Sequence, residues 1–168
     1  KVVIVGGGNV GIDCAKSALR TGCKEVHLVC LETRDLTSRD RMPAHEWEIE
    51  EAEEEGIVLH PCRGPNRVLS ESGKVTGLET IDCMSVWDDE GRFRPKCRER
   101  SESTLSCDSI VIAIGQETHF EGLDEIDQNP WRTLKADELT LQTNMADVFA
   151  GGDVATGPKS VIEAVGQG

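Results

Sequence analysis

Gly6, Gly8 and Gly11 follow directly on the short apolar run Val2 to Val5, at the spacing G-x-G-x-x-G. A glycine at the first position allows a tight turn out of a strand. At the second it lets the backbone approach a pyrophosphate, and at the third it lets the next helix pack against the strand. The first turn of that helix offers unpaired N–H groups and the positive end of a dipole, a setting suited to phosphates. Gly6, Gly8, Asn9, Val10 and Gly11 are therefore the candidate pyrophosphate-binding residues.

Glu32 lies twenty-one positions beyond Gly11, after a second apolar run from Glu25 to Leu31 that reads as a parallel strand. An acid about twenty residues past the glycine turn accepts hydrogen bonds from the adenine ribose hydroxyls of a dinucleotide. A carboxylate there repels a 2′-phosphate, so NADH is expected over NADPH. Arg34, two residues later, is the kind of residue that accommodates a 2′-phosphate, and it keeps the opposite preference in play. The bland alternative for Glu32 is a solvated position at a strand end.

Little else in the chain offers chemistry. The histidines, His27, His45, His60 and His119, are scattered, and no Ser/His/Asp or metal-ligand grouping stands out, so no catalytic residue and no metal are assigned. Cys14, Cys23, Cys30, Cys62, Cys83, Cys97 and Cys107 are odd in number and never spaced as CxxC, which argues against a local redox motif or a compact metal cluster. Most sit in apolar runs as small hydrophobes, a reduced, cytoplasmic kind of usage. With 31 acidic against 18 basic residues the net charge is −13, which disfavours nucleic acid and anionic membrane surfaces. No apolar stretch approaches the ~20 residues of a membrane span.

The elements that must position these residues follow from periodicity and punctuation. A helix is expected over Asn9 to Thr21, closed by Gly22, followed after the second strand by a polar loop from Thr33 to Met42. A second, acidic helix is expected to open at Pro43 and run to Glu55, with Gly56 after it. Its charge reads as a solvated outer face; docking of a basic partner is the lesser alternative. Ile57 to Cys62 is a third short strand. From Asn66 to Cys107, turn signals at Ser72-Gly73 and Asp89-Glu90-Gly91 break the chain into antiparallel hairpins. Ser109 to Gln116 returns to a buried parallel strand, apolar on both faces. Its end, Ile114-Gly115-Gln116, is expected at the carboxyl edge of the sheet, flanking the nicotinamide. The expected fold class is α/β: a Rossmann-like three-layer dinucleotide-binding domain with a parallel sheet, helices and a β-meander crossover.

Three segments together resemble the FAD-dependent pyridine nucleotide oxidoreductases: GGGNVGIDCA at 6–15, SIVIAIGQ at 109–116, and the stretch from Thr143 onward. Within that superfamily the chain is most similar to the glutamate synthase small-subunit group. Arg41-Met42-Pro43-Ala44 before an acidic helix carries that likeness, as does Val148 to Val154 running into Thr156-Gly157-Pro158. The resemblance implies a nicotinamide-dinucleotide domain over 1–116 and, over 117–168, a return segment of a FAD domain. Gly152 and Asp153 would then belong to the flavin site, with Asp153 bonding the ribityl or pyrophosphate region, and a helix from near Ser160 would face the flavin ring. NADPH users of the family carry paired arginines where Leu31-Glu32 stand here, which reinforces NADH.

The chain starts at Lys1 on a core strand and stops inside its last helix, at Gly166-Gln167-Gly168. It is therefore expected to be an excised piece that binds NADH or NADPH without turnover and does not itself hold FAD. The implied partners are the missing FAD domain and an iron–sulfur region or electron-acceptor subunit of the parent. Two alternatives remain: a non-catalytic NAD(H)-sensing module, and a stand-alone NAD-dependent dehydrogenase, for which the chain has no tyrosine and little room.

Overall fold

The computed structural model describes residues 1–167. The chain divides into two compact units, Lys1–Gly115 and Gln116–Gly168. In the first unit the order is β1 (Val2–Val5), α1 (Asn9–Arg20), β2 (Val26–Val29), α2 (Glu46–Glu54), β3 (Val58–His60), β4 (Arg63–Glu71), β5 (Lys74–Trp87), β6 (Phe93–Cys97), β7 (Ser103–Ser106) and β8 (Ser109–Ile112).

Strands β3, β2, β1 and β8 form a parallel sheet in that order, with Val2 paired to Val26 on one side and Ser109 on the other. β1 and β2 are buried along their whole length, because each face of the sheet is covered by a different layer. On one face Val2, Ile4, Val26, Leu28 and Cys30 pack with Ile12 and Ala15 of α1 and Ile49 and Ala52 of α2. On the other, Val3, Val5 and Val29 pack against Leu78 and Cys107, with Val75, Leu105 and Ile110 around them. A sheet apolar on both faces needs two covers. Here helices supply one and the antiparallel β4–β7 sheet supplies the other. The long β5 organises that second sheet by pairing with β4, β6 and β7. The architecture is the expected three-layer α/β arrangement with a β-meander in place of a crossover helix.

Two expectations need correction. α2 begins at Glu46, not Pro43. Met42 and Ala44 are buried in the helix-side core, and the Ala44 N–H donates to the Gly7 carbonyl at 3.2 Å, so the segment is held in an irregular path until His45 caps the helix. The acidic C-terminal end of α2 is unfavourable to the helix dipole, and it is offset by Lys16–Glu51 (2.7 Å), Arg20–Glu55 (2.8 Å) and Arg34–Glu53 (3.3 Å) pairs. The second correction concerns β8, which is not buried on both faces. It is an edge strand, Ile110 packs against the meander, and Val111 and Ile112 are exposed.

The second unit gathers Phe120, Ile126, Leu134 and Ala150 into its own small core. It carries α3 (Asp153–Thr156) and α4 (Val161–Gly166), the latter opened by a capping box in which Ser160 accepts from the Glu163 N–H and Glu163 accepts from the Ser160 N–H. The helix start expected near Ser160 is thus explained by Ser160 as N-cap. The expected stop of the chain inside this helix involves Gly168, which lies outside the described residues. No helix among the described residues is long and apolar enough to cross a membrane.

Leu78 is 1% exposed and is the meander residue set against Val3, Val5 and Val29. Leu78→Ala is expected to cost about 2–5 kcal/mol of stability, read by urea denaturation. An unchanged midpoint would show that the meander is not the sheet's second cover.

Candidate functional site

The turn after β1 is fixed by close backbone approaches. The Gly6 N–H donates to the Val29 carbonyl at 2.9 Å, and the Ala113 N–H donates to the Val5 carbonyl at 2.8 Å, so the turn is pinned between β2 and the continuation of β8. Gly6 has φ +133°, and a Cβ there would lie 2.2 Å from the Ala113 carbonyl oxygen. A Cβ on Gly11 would lie 2.1 Å from the Gly6 carbonyl oxygen. Side chains at either place are sterically excluded. α1 therefore starts directly on the turn, with Gly8 as an extended N-cap that makes no side-chain capping bond. An uncapped N-terminus of a twelve-residue helix behind a glycine cradle fits a diphosphate.

The other candidates separate by what they touch. Asn9 uses its side-chain oxygen structurally, since Oδ1 accepts from the His45 N–H at 2.9 Å, and its backbone N–H and Nδ2 are the donors that can serve an anion. Val10 is exposed on the first turn. Glu32 extends beneath the turn: a Cβ on Gly7 would be 2.9 Å from its Oε2. Burial pushes the Glu32 carboxyl above its ordinary value and Asp40 adds to that, while its own N–H opposes it. Gly7, a residue the spacing argument passes over, is thus the contact between turn and carboxylate. The run of three glycines was the available signal.

Arg34 is turned to Glu53, 3.3 Å away, and the Arg39 guanidinium donates to the Asp88 carbonyl. The loop between them folds back on itself, with the Thr33 N–H on the Asp40 carbonyl (2.8 Å) and the Met42 N–H on the Thr33 carbonyl (2.9 Å). This brings Pro43 over Gly8, its Cγ 3.9 Å from where a Cβ would sit. The Arg41-Met42-Pro43-Ala44 segment is therefore a wall of the glycine site.

At the end of β8, the Ile114 nitrogen is 3.4 Å from the position of a Gly6 Cβ, and the Ile114 side chain is 74% exposed. Gly115 follows in a left-handed conformation, φ +104°. The structure thus brings Gly6, Gly7, Gly11, Glu32, Ala113 and Ile114 together. Gln116 opens the second unit and is exposed. In that unit Gly152 has φ +69° and donates its N–H to Gln167 Oε1 at 2.6 Å. Asp153 Oδ1 accepts from the Lys159 N–H at 3.2 Å, beside a cleft of about 430 Å³ lined by Asp153, Lys159, Ser160, Val161, Ala164 and Val165.

The histidines are not all scattered. His27 and His60, on neighbouring strands, stack at 5.1 Å with Nδ1 and Nε2 2.8 Å apart, and Glu25 Oε1 lies 3.1 Å from His27 Nε2. Burial, with His27 beside it, holds His60 below its ordinary value.

Two outcomes test this geometry. Gly11→Ala is expected to lose roughly 1–3 kcal/mol, measured by urea denaturation, because the new methyl meets the Gly6 carbonyl. Glu32→Gln is expected to raise thermal stability near neutral pH. The folded Glu32 binds its proton more tightly than the unfolded chain does. Stability attributable to it therefore falls as pH rises from about 4.5 through the raised folded-state value, and stays lower above it. Wild type and Glu32→Gln should converge below that window and separate above it; parallel melting curves across pH would contradict the placement.

The protein family described as pyridine nucleotide-disulphide oxidoreductase matches residues 1–168. The NADP(+)-dependent formate dehydrogenase subunit beta of Moorella thermoacetica is 42% identical over 99% of this chain and 23% of its own length. The NADPH-Fe(3+) oxidoreductase subunit beta of Geobacter sulfurreducens is 35% identical over 99% of this chain and 28% of its length. The glutamate synthase [NADPH] small chain of Azospirillum brasilense is 35% identical over 99% and 34%. The chain thus spans about a quarter to a third of the length of these relatives. Thioredoxin reductase from T. acidophilum shares the fold at TM-score 0.78 and 20% identity, covering 99% of this chain and 48% of that one. The Lactococcus lactis enzyme does so at 0.75 and 18%, with the same coverage. The chain belongs to the pyridine nucleotide-disulphide oxidoreductase family, within the FAD-dependent pyridine nucleotide oxidoreductases.

Proposed function

We propose that this member of the pyridine nucleotide-disulphide oxidoreductase family binds a nicotinamide dinucleotide on its Gly6–Gly11 turn and presents it to FAD within a larger flavoprotein. The observation that carries the reading is the glycine turn itself, pressed against Ala113, opening onto an uncapped α1 and lying over the Glu32 carboxylate. Backbone N–H groups from Gly8 to Gly11 hold the diphosphate, and Glu32 accepts from the adenine ribose. Ile114, Gly115 and Gln116 lie on the nicotinamide side, where the exposed apolar Ile114 helps to keep water from the ring. When bound, the nicotinamide supplies a hydride and the flavin accepts it. No side chain of this chain is asked to move a proton.

The remaining assignments rest on the same reading. Residues 1–116 form the nicotinamide-dinucleotide domain, and 117–168 belong to the FAD side, with Gly152 and Asp153 at the flavin. The partners are the remaining FAD domain and an iron–sulfur region or electron-acceptor subunit, in the cytoplasm. The share of the relatives' length that this chain spans, and their naming as subunits or a small chain, support such a parent. NADH is the preferred cofactor, because the Glu32 carboxylate opposes a 2′-phosphate and both nearby arginines are engaged with protein groups. The relatives above are named for NADP or NADPH, so NADPH is the competing ligand.

Calorimetric titration with NADH and NADPH at one salt concentration tests this. NADH is expected to bind more tightly, and Glu32→Ala to weaken it by about 10- to 100-fold through loss of charged hydrogen bonds. Tighter NADPH binding that survives Glu32→Ala would overturn the ribose assignment in favour of Arg34 or Arg39.

A further inference from the structure

Cys83 on β5 stands directly opposite Cys97 on the antiparallel β6. The Arg98 N–H donates to the Asp82 carbonyl at 2.9 Å, one residue outside the pair on each strand. That places the cysteines at a non-hydrogen-bonded position of the ladder. Such pairs hold their Cα atoms about 4.5 Å apart, with side chains on one face and at their closest. A disulfide needs Cα atoms about 4.4–6.8 Å apart, so the backbone already meets its main requirement. A β-bulge between Cys83 and Ser85 adjoins the pair and marks backbone that departs from regular pleating. All the cysteines of the chain are free thiols.

We propose that Cys83 and Cys97 are a thiol-modification site, a cross-strand dithiol that closes into a reversible disulfide by exchange with a low-molecular-weight disulfide. Sequence spacing hides the pair, because a hairpin and not a CxxC turn brings it together. The two thiols are unequal in the way such an exchange uses. Cys97 is exposed, whereas Cys83 is buried, with its thiol donating to the Ser85 carbonyl at 3.3 Å. Burial pushes the Cys83 thiol up to about 11, and the neighbouring Cys97 contributes to the rise.

Attack therefore starts at Cys97. Its thiolate, having given its proton to water, bonds to one sulfur of the small disulfide and expels the other as a thiolate. Cys83 then passes its proton to the departed thiolate and attacks the Cys97 sulfur, expelling the second small thiolate, which takes up from water the proton that Cys97 gave. Two electrons pass from the dithiol to the small disulfide, and two small thiols are released. The buried, weakly acidic Cys83 makes the second step the slow one.

The test is incubation of the dilute protein with oxidised glutathione, blocking with iodoacetamide in denaturant, and mass spectrometry of an unreduced tryptic digest. Trypsin cuts after Arg92 and Lys96, so the two cysteines fall on separate peptides. The expected product is the Cys83 peptide joined to the Cys97 peptide, with two hydrogens lost and the link removed by dithiothreitol. Cys97→Ser, an exposed change checked for an unaltered circular dichroism spectrum, should abolish the link and leave Cys83 fully alkylated. The proposal is overturned if Cys97 is recovered as a lasting mixed disulfide beside alkylated Cys83. It fails equally if Cys83 is found joined to Cys62, or if both thiols remain alkylatable.

Discussion

The contact on which the rest of the first unit depends is the meeting of three backbone segments at Gly6. The carbonyl of Ala113 and the carbonyl of Gly6 lie where Cβ atoms on Gly6 and Gly11 would otherwise stand. With those two hydrogens in place of methyl groups, β1, the end of β8 and the start of α1 converge on one point. Because α1 begins there, its uncapped N–H groups face the carboxyl edge of the sheet, and because β2 is hydrogen-bonded beside β1, Glu32 ends under the same turn. The start of α1, the Glu32 carboxylate and the end of β8 meet through one steric condition.

The two covers of the parallel sheet divide the work. The helix layer sets the glycine site, since α2's N-cap is tied to Asn9 and Ala44 is tied to Gly7. The meander layer braces the Glu32 side of the turn. Cys83 donates its N–H to the Cys62 carbonyl at 2.8 Å, and Cys62 donates to the Glu32 carbonyl at 2.8 Å, so β5 is joined to the residue beneath the turn by two successive backbone bonds. The far end of β5 also holds the loop after Glu32, through Trp87 to Asp40 and Asp88 to Arg39. Replacing a crossover helix by a sheet thus adds hydrogen-bonding backbone where a helix would present only side chains.

Much of this was legible in the residues. The glycine spacing, the apolar runs and the turn dipeptides carry local information, and they placed the strand-turn-helix start, Glu32 and the hairpins. What they could not carry is non-local. Pro43 is a favourable first helical residue, yet Met42 and Ala44 gain more by burial in the core, and the helix waits for Glu46. The β8 run differs from β1 in apolar character only by Ser109, but edge position is a property of strand order, which no run of residues encodes. His27 with His60, and Cys83 with Cys97, are 33 and 14 residues apart and become neighbours only through strand pairing.

Glu32 is held under the turn at a cost in hydration. A carboxylate held among low-dielectric neighbours loses hydration, and its raised proton affinity records that loss. Nothing in the packing requires an acid there: a neutral side chain of the same shape would rest more comfortably beneath Gly7 at neutral pH. An acceptor-only, ionised group is needed only by something that donates to it, as a pair of vicinal hydroxyls does. A phosphate in the same place would face a carboxylate already short of solvent. In a chain whose net charge is −13, an anion placed at this turn would be met by backbone dipoles more than by cationic side chains.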